Sequence, residues 1–169
     1  MSASINGTTG ITFPDNSTQS TSPFAGGLGF RNRIINGDCR IDQRNAGASV
    51  TPADNAYLVD RWQYNASQAS KFTAQQNASS VTAPAGFVNY LGFTSNSAYS
   101  VLTGDYFFTR QSIEGLNVAD LAWGTSNAAP VTISFWARSS LTGTFGGTFE
   151  NSAGNRCYPF SYTISSAIS

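Results

Sequence analysis

From Arg31 onward, apolar and polar positions alternate along the chain with a period of two, the signature of strands that bury one face. Over residues 34–44, one parity carries Ile35, Gly37, Cys39 and Ile41 and the other carries Asp38, Arg40, Asp42 and Arg44. That pattern predicts a half-buried strand with an outer row of alternating charge. In 131–138, Val131, Ile133, Phe135 and Ala137 form one face, and Thr132, Ser134, Trp136 and Arg138 form the other. Further strands are predicted over 57–64, 87–93, 106–113, 143–149 and 159–164, with a weak one at 71–74 in a polar connection, all separated by Gly, Pro and Asn/Ser clusters.

Residues 1–30 differ in kind. They are small, polar and Gly-rich, with isolated apolar residues at Ile5, Ile11, Phe13, Phe24 and Leu28, too few for a core of their own. Pro14-Asp-Asn-Ser17 is a turn signal that permits a small hairpin. This leader is read as a segment ordered only against partner chains, with a disordered tail as the alternative. Helix is confined to one short turn around Ala119 to Ala122, because Gly115 weakens the helical spacing of Ile113, Leu116 and Leu121.

The prediction is therefore all-β: an extended leader over 1–30, then an antiparallel β-sandwich of jelly-roll type over 31–169. Composition agrees, since 13% of residues are aromatic and 11% are charged, against a usual ~25% charged. Nine basic residues balance nine acidic ones, so no field steers the chain onto nucleic acid or an anionic membrane. No run approaches the ~20 apolar residues of a membrane span. The N-terminus has neither the basic nor the apolar part of a secretory signal, so synthesis in the cytoplasm is expected, and the Asn-x-Ser/Thr sequons carry little meaning.

Candidate chemistry is sparse. There is no His, and Cys39 and Cys157 alone make no zinc site, so no metal or cofactor is expected. Both cysteines sit in strand-like runs and are read as reduced, buried thiols rather than a disulfide. The lack of His removes the usual general base, and Glu114 and Glu150 are the only Glu residues, so the chain is not read as an enzyme. Trp136 stands on an otherwise polar face beside Arg138, an arrangement that can stack on a sugar ring and hydrogen-bond its edge; packing in the core or at a subunit interface is the alternative. Trp62 shares a face with Leu58 and Tyr64 and is read as core.

Several tracts resemble bacteriophage tail fibre and related virion appendage proteins. They are Gly10-Ile-Thr-Phe-Pro-Asp-Asn-Ser-Thr-Gln19, the run from Gly29 through Ile34-Ile-Asn-Gly-Asp-Cys-Arg-Ile-Asp-Gln-Arg44 to Gly47, Tyr57 to Trp62 with its Asp60-Arg61-Trp62, Tyr106 to Gly115, and Leu121 to Thr125. Cys39 stands where that pattern has a plain apolar residue. The tract 131–145 resembles the central strand pair of carbohydrate-binding jelly rolls found in phage fibres and beside glycoside hydrolases.

The resemblance implies a structural subunit of a virion appendage, a tail fibre or fibre-like neck or baseplate protein. Its leader, through Ile5, Ile11, Phe13 and Phe24, would attach to other virion proteins and self-associate, as a homotrimer. The sandwich would serve host-surface adhesion, with Trp136 and Arg138 as a platform for host polysaccharide; a glycan-binding receptor module or, less well supported, a polysaccharide depolymerase are the alternatives. Sandwiches of this resemblance continue beyond a strand such as 159–164. The chain is thus expected either to be part of a longer fibre or to be completed by neighbouring subunits.

Overall fold

The computed structural model describes residues 4–6, 10–19, 32–78 and 81–168. Among these, regular structure is almost wholly β. The strands are β1 (Ser4–Asn6), β2 (Gly10–Thr12), β3 (Thr18–Gln19), β4 (Gln63–Ala66), β5 (Phe72–Gln76), β6 (Leu91–Ser95), β7 (Phe107–Arg110), β8 (Gly143–Glu150) and β9 (Cys157–Ile164). Two single 3-10 turns, Gly115–Asn117 and Ala119–Leu121, are the only helical elements among the described residues. No helix there is long and apolar enough to cross a membrane.

All pairing is antiparallel, in four small sheets: β1-β2-β3, β4-β7, β5-β6 and β8-β9. No closed sandwich or jelly roll forms among the described residues. The core lies between β4-β7 and β5-β6, where Leu58, Tyr64, Ala66 and Ala74 are buried and Phe72, Leu91 and Phe107 pack against them. Asn65 is buried beside Tyr64 and spends its amide N–H groups on Asp54 Oδ1 at 3.1 Å and Asn55 Oδ1 at 2.8 Å.

The turn signal in the leader forms as expected. The Phe13 N–H donates to Ser17 O at 2.9 Å, Asp15 Oδ1 accepts from the Ser17 N–H, and β2 and β3 pair across the loop. β1 adds a third strand, with Ile5 in register with Ile11. Ile11 is half-buried and Phe13 exposed; Phe24 and the side chain of Ile5 lie outside the described residues.

The strand expected over 34–44 does not form; the segment is a succession of turns. Asn36 at φ 53° and Cys39 at φ 54° leave the β region. The Asn36 side chain takes the place of a ladder, accepting from the Ile41 N–H at 2.9 Å and donating to Ile41 O at 2.9 Å and Asp60 O at 2.8 Å. Asp42 closes the next turn by accepting from the N–H groups of Asn45 and Gly47. The period of two thus reflects side chains that bond local backbone, and Ile35 and Ile41 stay exposed.

The strand expected over 57–64 shortens to β4, because 58–62 folds as a tight loop: Leu58 N–H donates to Trp62 O at 2.9 Å and Trp62 N–H to Val59 O at 3.0 Å. Leu58 and Val59 are consecutive and both buried, which a strand with one face open to solvent cannot arrange. Residues 87–93 and 106–113 yield the shorter β6 and β7, and the weak strand becomes β5. Both C-terminal strands form, with Phe145, Gly147, Phe149, Phe160, Tyr162 and Ile164 on the more covered face of their hairpin.

Candidate functional site

Residues 131–138 take no regular secondary structure, contrary to the strand expected there. The alternation nevertheless sorts the side chains. Phe135 packs edge-on against Tyr162, with ring centroids 5.0 Å apart, and near Phe160 at 6.3 Å. Trp136, on the opposite parity, is 72% exposed, so it does not fill a core. Arg138 Nε donates to Ile168 O at 3.2 Å, which ties this end of the run to the C-terminal segment. The structure therefore gives a bare indole with a guanidinium two residues away, the elements of a stacking platform.

A second candidate lies where three of the sequence tracts meet. A cleft of about 280 Å³ is lined by Arg44, Tyr57, Asp60, Arg61, Gln63, Ser112 and Glu114. Its floor is a fork: Arg61 Nη1 donates to Glu114 Oε1 at 2.7 Å, and Nη2 to Glu114 Oε2 at 2.8 Å and to Ser112 O at 2.9 Å. This pairing holds the Glu114 carboxyl down at about 2 and pushes Arg61 up. A carboxylate so held is no proton donor near neutral pH. The Arg44 guanidinium lies 5.0 Å from the centre of the Tyr57 ring, covering one aromatic face of the cleft.

Asp60 and Arg61 turn to different partners, as their adjacency in the chain suggests: Asp60 Oδ2 accepts from the Gln43 N–H at 2.7 Å. Trp62, half-buried, donates its indole N–H to Asn36 O at 3.0 Å. The Gln111 side chain exchanges two hydrogen bonds with Ile35, accepting from its N–H at 2.8 Å and donating to its C=O at 2.7 Å. Residues of the tracts 34–44, 57–62 and 106–115 are thereby laced into one polar knot. Sequence reasoning missed these partnerships, since Ile35 and Gln111 lie 76 residues apart.

The cysteines divide. Cys39 is buried as expected, and burial followed by nearby Asp38 pushes its thiol up to about 11. Cys157 is exposed, contrary to expectation, because it opens β9 opposite Glu150, ahead of the aromatic row that begins at Phe160. No cluster of three His, Cys, Asp or Glu able to hold a metal occurs among the described residues. No family model, curated protein or solved structure matches this chain.

Proposed function

We propose that the chain is a structural subunit of a bacteriophage virion appendage, a tail fibre or a fibre-like neck or baseplate protein. Residues 1–30 attach it to other virion proteins and help it self-associate, and residues 31–169 are presented outward for host-surface adhesion. The observation that carries this reading is the polar knot. The tracts that resemble appendage proteins are far apart in sequence, yet Asn36, Asp60, Arg61, Trp62, Gln111 and Glu114 bond to one another's segments. A surface rich in hydroxyls and amides, with 11% charged residues, also suits an exterior structural part.

The test is the protein content of phage particles from the host that carries the gene. Immunogold labelling on an appendage is expected. Abundant protein in the lysate with none on purified particles would overturn the reading.

The exposure of Trp136 favours a second reading, in which the outward face recognises a host polysaccharide. Binding of the full chain to host envelope glycans should then be lost in Trp136→Ala while the far-ultraviolet circular dichroism is unchanged. Equal binding by the variant would remove Trp136 from that role.

A further inference from the structure

The cleft lined by Arg44, Tyr57 and Ser112 has a floor that is paired and a wall that is not. In the floor, the Arg61 fork spends Nη1 and Nη2 on the Glu114 carboxylate and Ser112 O, so neither charge is left to seek a partner. Around it, four polar groups keep hydrogen-bonding capacity. Among the described residues, the Arg44 guanidinium makes no hydrogen bond or ion pair and lies over the Tyr57 ring. The Tyr57 and Ser112 hydroxyls have no hydrogen-bond partner there either. Asp60 gives Oδ2 to the Gln43 N–H and keeps Oδ1 in hand. The cleft is also where the chain holds a costly backbone, Arg61 at φ 76°, and strain of this kind collects at ligand clamps.

We propose that this cleft binds one uncharged pyranose unit of a glycan, a neutral hexose or an N-acetylated hexosamine. Volume sets the size. About 280 Å³ falls at the low end of small-molecule sites, which run from roughly 300 to 1,000 Å³, so the cleft admits one sugar ring and leaves the rest of a chain outside. Charge sets the class. Arg44 and Arg61 balance Asp60 and Glu114, so the lining carries no net charge. A uronate would bring a third carboxylate to Asp60 and Glu114, and a free amino sugar a third cation to Arg44 and Arg61.

The unspent groups are mixed in kind. Arg44 only donates, Asp60 Oδ1 only accepts, and the two hydroxyls do either. A ring of hydroxyls, each both donor and acceptor, matches that set, whereas an apolar ligand would bury it unpaired. Tyr57 is still 44% exposed beside Arg44, which gives the C–H face of the sugar an apolar surface to meet. None of these groups belongs to the Trp136 platform, and the proposal goes beyond the virion role without resting on it.

The experiment is saturation-transfer NMR on the purified full chain with free glucose, galactose, mannose, N-acetylglucosamine and N-acetylgalactosamine, beside glucuronate and glucosamine. At least one uncharged sugar should receive saturation, and both charged sugars should bind more weakly than it does. Arg44→Ala and Tyr57→Phe should each weaken that binding roughly fivefold or more, the loss of at least one hydrogen bond. Both positions are exposed, so the circular dichroism of both variants should match wild type. In the wild type, the backbone amide signals that move on titration should include those of 57–63 and 112–114. No uncharged sugar bound, glucuronate or glucosamine bound as tightly as any uncharged sugar, wild-type affinity in both variants, or shifts confined to 131–138 would each overturn the site. None of these results depends on whether particles contain the protein.

Discussion

Arg61 and Glu114, 53 residues apart in sequence, meet fork to fork at 2.7 and 2.8 Å. Arg61 reaches this geometry from a backbone at φ 76°, a region that a long side chain adopts at a cost of about 1–3 kcal/mol. The tight loop at 58–62 imposes that conformation while burying Leu58 and Val59. The same few residues therefore supply part of the core and aim the guanidinium at the 3-10 turn that begins after Glu114.

Acid should loosen the fold through two carboxylates. Glu114 is held at about 2 against an ordinary 4.5 by Arg61, and Asp105 at about 2 against 3.8, chiefly by the Leu102 N–H and then by Ser67 and Tyr99. Both are depressed in the folded state. Their contribution is therefore complete above the unfolded values and is lost as pH falls towards the folded ones. The melting temperature should drop between about pH 5 and about pH 2. Glu114→Gln combined with Asp105→Asn should melt lower at neutral pH and show a flatter profile over that window; a double variant as acid-sensitive as wild type would contradict the assignment.

Gly147 is fixed by its partner across the hairpin. It pairs with Phe160, whose ring lies over it so closely that a Cβ would fall within 2.9 Å of three ring atoms. Phe135 and Phe149 crowd that ring, with centroids 6.3 and 6.0 Å away, so it can swing aside only by breaking the cluster. Gly147→Ala should lose about 1–3 kcal/mol in urea unfolding. Gly146→Ala, whose Cβ would meet nothing nearer than 3.7 Å, should change stability little.

What the sequence made legible was whatever rests on local pattern. The Phe145/Gly147/Phe149 and Phe160/Tyr162/Ile164 rows of β8 and β9, the hairpin turn at Pro14 to Ser17 and the 3-10 turn at Ala119–Leu121 all follow from spacing and turn residues close in the chain. Trp136 was legible as an outward indole for the same reason: parity alone separates it from Phe135. The reading failed at 34–44, where the Asn36 and Asp42 side chains bond neighbouring backbone and Arg40 pairs with Asp38, so that alternating polar residues imitate the period of a strand. The cleft was illegible because its fork joins residues whose proximity no local pattern encodes.

The two thiols should separate chemically. Cys39 is buried with its thiol pushed up to about 11, and Cys157 is exposed at the start of β9. The thiolate is the reactive form, so a disulfide reagent at mild pH should titrate one thiol quickly in the folded protein and the second only in denaturant. Cys157→Ser should abolish the fast phase. Two fast thiols, or none, would refute the burial of one or the exposure of the other.

Asn36 gives the sharpest test of the polar knot, because its amide is used in both senses. Its Oδ1 accepts from the Ile41 N–H at 2.9 Å, while its Nδ2 donates to the carbonyls of Ile41 and Asp60 at 2.9 and 2.8 Å. Its own carbonyl accepts from the Trp62 indole at 3.0 Å. Asn36→Asp preserves shape and backbone preference, since both residues tolerate the left-handed region in which Asn36 sits at φ 53°. It nevertheless replaces the double donor with a carboxylate oxygen set against two carbonyls. The accepted bond survives and both donated bonds become repulsive, for a loss of about 2 kcal/mol in urea unfolding at neutral pH. Protonating the new carboxylate restores one donor, so the deficit relative to wild type should narrow on acidification. Trp62 fluorescence should shift with the same variant, as the indole N–H loses a firmly placed acceptor. A variant as stable as wild type, with unchanged emission, would show that Asn36 fills a turn position and holds nothing else together.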